Sequence, residues 1–73
     1  MTDMYTAKLE GWYKVSPADG VYCIVGNVWE DKLERWPDGY PMTTSMVMEG
    51  DIKEGEIVHT VNNIYLLGKS LHG

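Results

Sequence analysis

The chain has a single cysteine, no signal-peptide pattern and no long apolar run, and each of these shortages excludes a class of protein. Cys23 stands alone among 73 residues, so no disulfide can form within the chain and a reducing compartment is the expected setting. The longest uninterrupted apolar stretch, VYCIV, is far shorter than the ~20 residues of a membrane-spanning helix. We therefore expect a soluble, cytoplasmic protein without a membrane partner.

Basic residues are also few: six Lys and Arg stand against eleven Asp and Glu, a net charge of −5. A negative protein repels phosphate backbones, so we do not expect direct binding to nucleic acid. The excess is confined to residues 30–56, which hold eight acids and three bases, whereas the three acids and three bases outside this segment cancel. This acidic middle either keeps a small domain soluble or faces a basic partner, and both interpretations stay open.

Helical periodicity is nearly absent, and alternation of apolar and polar residues takes its place. The first alternating stretch, residues 5–15, is interrupted by Gly11, which predicts a bulge or bend in a strand that carries Trp12 on its solvent face. VYCIVGNVW is apolar on both faces and predicts a central strand with a second bulge at Gly26. EDKLERW could form at most two helical turns before Pro37, so we interpret it as a loop or a short edge strand.

Residues that favour turns separate these strands. SPADG and WPDGY each combine proline with Asp-Gly, as tight turns do, and EGDIKEGE predicts a hairpin loop. Asn62 and Asn63 lie between two apolar runs, and asparagine tolerates the positive backbone angles of a primed hairpin turn. These strand faces predict a core made of Tyr5, Leu9, Val21, Val25, Ile57, Val61, Ile64 and Leu66.

The predicted fold is all-β with little or no helix, in one small domain over residues 1–73. About five short strands would form a strongly bent antiparallel sheet or an open barrel of the SH3-like or OB-like (oligonucleotide-binding) type. Residues 69–73 are expected to be a flexible tail. A domain of this size buries only about 60% of its unfolded surface, and an open barrel leaves a strand edge unpaired, so we expect a homo-oligomer.

No catalytic, metal or cofactor motif is present, and we expect no enzyme activity. In PMTTSMVME, a serine nucleophile at Ser45 would need a base and an orienting acid, but the histidines lie at His59, in a later alternating run, and at His72. His59 has no partner at a metal-ligand spacing. Met42, Met46 and Met48 share one strand face, which suits flexible core packing or an adaptable binding surface.

WPDG, TTSMV and HTVNNIYLLG together resemble a pattern found in short all-β proteins of bacteriophages and prophages, mostly without assigned function. The resemblance covers residues 21–68, although EGDIKEGE is longer than the turn expected there and the three methionines are unusual. The matching positions are Trp36, Pro37, Asp38 and Gly39 in a turn, Thr44 and Ser45 in a strand, and Thr60, Asn62, Tyr65, Leu67 and Gly68 in a hairpin. The resemblance implies a small accessory protein that binds and redirects a bacterial protein, and it implies no catalytic residue.

We therefore expect a protein-binding module, an inhibitor of a host or anti-phage defence protein, that acts in the cytoplasm of the host cell. Its partner would be a host or phage protein with a basic surface, because aromatic anchors beside acidic charge suit such a contact. The expected partner-binding residues are Trp12, Trp36, Asp38, Tyr40, Glu49, Asp51 and Glu54.

Two alternatives stay open. One is a binder of an anionic metabolite or nucleotide between the copies of an oligomer, which would require Lys14, Arg35 or Lys69 to converge on the ligand. The other is a structural or assembly component of a phage particle.

Overall fold

The computed structural model describes residues 5–71, which form a six-stranded sheet without any helix. The prediction of an all-β fold is confirmed, with six strands rather than about five. The strands are β1 (Ala7–Ala18), β2 (Val21–Trp29), β3 (Tyr40–Thr43), β4 (Val47–Glu49), β5 (Ile57–Thr60) and β6 (Ile64–Leu67).

The strand order in the sheet is β3-β2-β1-β6-β5-β4. Four of the neighbouring pairs are antiparallel, and β1 and β6 are parallel, so the sheet is mixed rather than purely antiparallel. β5 and β6 form a hairpin that brings the end of the chain back to the sheet beside β1, and β6 runs in the same direction as β1. The outermost strands β3 and β4 are joined only by residues 44–46, so the open sheet must bend strongly to bring its two edges together.

A bulge in β1 decides which residues enter the core. The pairing of β1 with β2 shifts by one residue between Glu10 and Tyr13, so Gly11 and Trp12 together oppose Gly26. Gly11 has φ +58, a backbone conformation that favours glycine, and the bulge predicted there is confirmed. The bulge predicted at Gly26 is wrong: this residue is the single partner of the bulged pair, and a Cβ on it would lie 3.0 Å from Cβ of Trp12.

The predicted core is mostly wrong. Of its members only Leu9 is fully buried, while Val61 is 60% exposed and the other members are partly buried. The observed core consists of Ala7, Leu9, Trp12, Ile24, Val28, Val58, Tyr65 and Leu67.

Two local features account for this difference. The bulge turns the Trp12 side chain into the core. Both faces of β2 are apolar, and the contact of Trp12 with Gly26 places Ile24 and Val28 on the face that is buried. The turn between β5 and β6 is centred one residue earlier than predicted.

The Thr60 hydroxyl defines that turn. It accepts a hydrogen bond from the Asn63 backbone N–H (3.1 Å), and the Thr60 N–H donates to the Asn63 carbonyl (2.8 Å). Val61 and Asn62 therefore form the link, and neither has a positive φ. The predicted hairpin is confirmed, but the primed turn at Asn62 and Asn63 is wrong, because the hydroxyl of Thr60 selects a different pair of central residues.

The C-terminal segment pairs with β1 instead of forming a tail from residue 69 onward. The Gly11 N–H donates to the Lys69 carbonyl (2.8 Å), and the Leu71 N–H donates to the Trp12 carbonyl (2.8 Å). Residues 72 and 73, including His72, lie outside the described residues.

Candidate functional site

The loop between β2 and β3, residues 30–39, is organised by the carboxylate of Asp31, whose side chain is 1% exposed. This carboxylate accepts hydrogen bonds from the backbone N–H groups of Leu33 (3.1 Å) and Arg35 (2.9 Å). It also accepts from Nε (3.0 Å) and Nη2 (3.1 Å) of the Arg35 guanidinium. Burial alone would raise the pKa of Asp31, but these hydrogen bonds outweigh it and hold the pKa below its usual range.

Arg35 connects this loop to an aromatic pair. Its guanidinium lies 4.3 Å from the ring centre of Trp36, a cation–π contact. The rings of Trp36 and Tyr40 are stacked, with centres 6.3 Å apart and planes 11° apart. Trp36 is partly buried against the core, whereas Tyr40 is 45% exposed. The contacts of Trp36 with Arg35 and with the core therefore hold the aromatic pair in place at the surface.

The PDG turn closes the loop onto the end of β2. Oδ1 of Asp38 accepts from the Glu30 N–H (2.8 Å), and the Gly39 N–H donates to the Val28 carbonyl (2.7 Å). Gly39 has φ +86, which the Asp-Gly sequence permits. The tight turn predicted at WPDGY is confirmed, and the Asp38 side chain stays exposed although it accepts one of these bonds.

These residues surround an open depression of about 390 Å³. Asp31 and Arg35 neutralise each other, whereas Glu30, Glu34 and Asp38 are exposed acids. Glu30 and Glu34 both have positive φ (53° and 52°), a conformation uncommon for residues other than glycine, so the backbone of the loop is specifically constrained. We refer to this feature as the acidic depression, lined by Glu30, Asp31, Glu34, Arg35, Trp36, Pro37 and Asp38.

Of the expected partner-binding residues, Trp36, Asp38 and Tyr40 meet at this loop, but Trp12 does not. Trp12 is 5% exposed, and its Nε1 donates to the Gly68 carbonyl (2.9 Å). The expectation of an exposed Trp12 is wrong because the bulge at Gly11 reverses the alternation that placed it on the solvent face.

The other expected acids lie elsewhere. Glu54 accepts hydrogen bonds from the N–H (2.9 Å) and the hydroxyl (3.1 Å) of Ser70, beyond the C-terminal end of β6. The acidic depression adjoins the other end of β6. There the side-chain amide of Asn63 is oriented so that both its nitrogen and its oxygen form hydrogen bonds, and the oxygen accepts from Nη1 of Arg35 (2.6 Å). Glu49 and Asp51 are exposed on and after β4. Glu49, Asp51 and Glu54 therefore do not line the acidic depression, and the acidic middle of the sequence is not gathered in that one site.

A second depression, of about 340 Å³, lies between β1 and the end of β6. Its charges balance: Glu10 forms an ion pair with Lys8 (3.0 Å) and accepts from the Lys69 N–H (2.9 Å), and Glu54 binds Ser70. The acids of this second depression are thus engaged by the chain itself.

The bases required for an anionic ligand do not converge within one chain. Lys14 lies over the ring of Tyr22 (4.9 Å), Arg35 is bound to Asp31, and Lys69 follows β6. A single chain therefore offers no cluster of Lys14, Arg35 and Lys69.

The hydroxyls of the TTS segment serve the fold. Thr44 Oγ1 accepts from the Ile24 N–H (3.0 Å), and Ser45 Oγ accepts from the Asn62 N–H (3.3 Å). These bonds tie the link between β3 and β4 to its neighbours. His59 is exposed on β5, and residues 5–71 contain no cluster of three His, Cys, Asp or Glu side chains that could hold a metal ion.

Sequence reasoning missed Asp31 and Arg35 as the residues that shape the site. The sequence did contain a signal for this loop. An aspartate follows an apolar strand, and an arginine comes four residues later; this spacing suits a loop that is closed by hydrogen bonds from the backbone and the arginine to the aspartate side chain. Glu30 and Glu34 were recognised only as part of the acidic middle.

In the part of the chain that the structure describes, no helix is long and apolar enough to cross a membrane. Comparison with protein-family models, curated proteins and solved structures finds no match to the chain.

Proposed function

We propose that this protein is a small acidic protein-binding module that contacts a basic surface of its partner through the acidic depression. The observation that carries this proposal is the placement of three exposed acids, Glu30, Glu34 and Asp38, on one loop that also presents Trp36. Carboxylates pair with a lysine or arginine of the partner, and Tyr40, which is 45% exposed beside Trp36, adds aromatic contact area next to these acids.

The rigidity of the loop supports binding rather than a solvated surface alone. Asp31 and Arg35 hold its backbone, and Tyr40 stacks on Trp36, so little conformational freedom is left to lose on association. A site already arranged in the free protein binds with a smaller entropic cost than a mobile acidic loop would.

The resemblance to short bacteriophage proteins supports a narrower form of the proposal, in which the partner is a bacterial host or defence protein in the host cytoplasm. Inhibition would require only that a basic functional surface of the partner be covered. Electrostatic attraction between the two surfaces would accelerate their encounter.

The test is capture of partners from a bacterial lysate, followed by binding kinetics with the purified partner. The double variant Glu30→Lys/Glu34→Lys reverses two charges at the acidic depression. The matched control, Glu49→Lys/Asp51→Lys, changes the net charge equally at exposed residues outside the depression.

We expect the first variant to lose the partner and the control to retain it. Equal loss in both variants would show that net charge alone drives capture. Retention in both would refute the proposed surface.

A further inference from the structure

The sequence contains the dipeptide Asp-Gly at two places, Asp19 with Gly20 and Asp38 with Gly39, and both dipeptides lie in turns. An aspartate reacts with its own backbone most readily when glycine follows it, because glycine has no side chain to hinder the approach of its nitrogen to the carboxyl carbon. The two dipeptides share this intrinsic chemistry. A difference in their reactivity in the folded protein must therefore come from the fold.

The reaction closes a succinimide ring and then opens it. The backbone nitrogen of glycine attacks Cγ of the protonated aspartate carboxyl, a bond between nitrogen and Cγ forms, and the carboxyl hydroxyl leaves with the amide proton as water. Water then adds to one of the two ring carbonyls. Addition at Cγ restores aspartate, whereas addition at the backbone carbonyl breaks its bond to the glycine nitrogen and leaves isoaspartate. One water is released and one is taken up, so no other reactant is needed.

The fold holds both reacting groups at Asp38. Oδ1 of Asp38 accepts from the Glu30 N–H (2.8 Å), and the Gly39 N–H donates to the Val28 carbonyl (2.7 Å). A Cβ on Gly39 would lie 3.6 Å from the ring of Trp29, so this side of the turn is also occupied. Ring closure at Asp38 therefore requires a local opening of the turn in which these hydrogen bonds break.

The turn of Asp19 and Gly20, at the tip of the hairpin of β1 and β2, lacks these restraints. Both residues are exposed, and among the described residues neither the Asp19 carboxyl nor the Gly20 N–H has a hydrogen-bond partner. Apart from its chain neighbours, no atom lies within 4 Å of the position that a Cβ on Gly20 would take. The carboxyl of Asp19 can therefore approach the Gly20 nitrogen without breaking a contact with another part of the chain.

We propose that Asp19 is a site of spontaneous isoaspartate formation in the folded protein, and that the turn at Asp38 protects that residue from the same reaction. The product adds one backbone atom at the tip of the hairpin and places the free carboxylate on Cα. β6 pairs with residues 7–9 of β1, and β3 pairs with residues 25–28 of β2, so the change lies outside these contacts. The modified turn is then a substrate for a carboxyl methyltransferase that acts on isoaspartate. This site is independent of the acidic depression and of the function proposed for it.

The test is incubation of the purified full chain at neutral pH and body temperature, followed over several weeks by peptide mapping. Cleavage after lysine and arginine places Asp19 and Asp38 in different peptides. Electron-transfer fragmentation distinguishes isoaspartate from aspartate, which has the same mass. We expect isoaspartate to accumulate several-fold faster at Asp19 than at Asp38. In concentrated urea the rate at Asp38 should rise to nearly that at Asp19, because glycine follows both.

The variant Asp19→Glu is the matched control, because it keeps the charge but its longer side chain does not close the same ring. It should form no isoaspartate at residue 19 and leave the rate at Asp38 unchanged. Transfer of a labelled methyl group from S-adenosylmethionine by an isoaspartate methyltransferase should increase with the age of the wild-type protein and be largely lost in the variant. Equal rates at Asp19 and Asp38 in the folded protein, no isoaspartate at Asp19, or a difference that persists in urea would each overturn the proposal.

Discussion

Trp12 lies directly over Gly26, so closely that a Cβ on residue 26 would be 3.1 Å from Cα and 3.0 Å from Cβ of Trp12. The bulged pair Gly11 and Trp12 crosses β2 at the one position in that strand without a side chain. This contact admits the Trp12 ring to the core, where its Nε1 reaches the Gly68 carbonyl (2.9 Å). Substitution of Gly26 should therefore disturb the bulge and the attachment of the C-terminal segment together.

The first prediction is that Gly26→Ala lowers the free energy of unfolding by about 1 to 3 kcal/mol, as overpacking of a close backbone contact does. The measurement is urea unfolding followed by tryptophan fluorescence. The fluorescence of the folded variant should also change, because Trp12 is displaced. If the variant unfolded at the same urea concentration as wild type, β1 and β2 would be able to move apart at this point without loss of stability, and the prediction would be wrong.

The second prediction compares one substitution on the two faces of β2. Val28 is fully buried, whereas Val25 is partly buried on the opposite face. Val28→Ala should cost about 2 kcal/mol of unfolding free energy from lost apolar contact and the remaining cavity. Val25→Ala should cost less than half as much when both are measured at a concentration where the protein is monomeric. If Val25→Ala cost more than Val28→Ala, the core face of β2 would be the one that carries Val25, as the alternation of residues predicted.

The third prediction concerns pH and Asp31. Its pKa is lower in the folded protein than its ordinary value of 3.8, because hydrogen bonds from Arg35 and the backbone outweigh burial. The stabilisation is therefore complete above the unfolded pKa and is lost as the pH falls through the folded pKa. Asp31→Asn should cost about 2 kcal/mol at pH 7, and that difference from wild type should shrink below about pH 4.

Thermal unfolding of both proteins from pH 7 to pH 2 measures this difference. Glu10 and Glu54 also have lowered pKa values, but they are present in both proteins and so largely cancel in the comparison. A difference between the proteins that does not depend on pH would contradict the charged hydrogen bonds assigned to Asp31.

The fourth prediction separates the aromatic and acidic parts of the acidic depression once a partner is in hand. Trp36→Ala should raise the dissociation rate and leave the salt dependence of association nearly unchanged, because the ring acts after contact. Glu30→Lys/Glu34→Lys should slow association and remove most of its dependence on salt. Trp36→Phe, which keeps an aromatic face, should recover part of the lost residence time. Surface plasmon resonance over a salt series measures these rates, and identical rates for all variants would refute the contact.

The amino-acid sequence by itself determined the features that depend on neighbouring residues. Alternation and the shortage of helical periodicity are local, and they correctly predicted an all-β chain. Gly11 at a bulge and Gly39 in the PDG turn both have the positive φ that their local sequence favours. Trp36, Asp38 and Tyr40 lie close together because they belong to one turn and its flanking residues.

Only the tertiary structure decided which faces are buried and which acids share a surface. β2 is apolar on both sides, so its core face depends on the contact between Gly26 and Trp12, which a pattern within one strand does not contain. The parallel pairing of Ala7 with Tyr65 places residues from the two ends of the chain side by side. The same arrangement leaves Glu54 at the opposite end of β6 from the acidic depression. Turn chemistry acts over a few residues, whereas burial and charge clustering are set by contacts between distant parts of the chain, and these exist only once the sheet has formed.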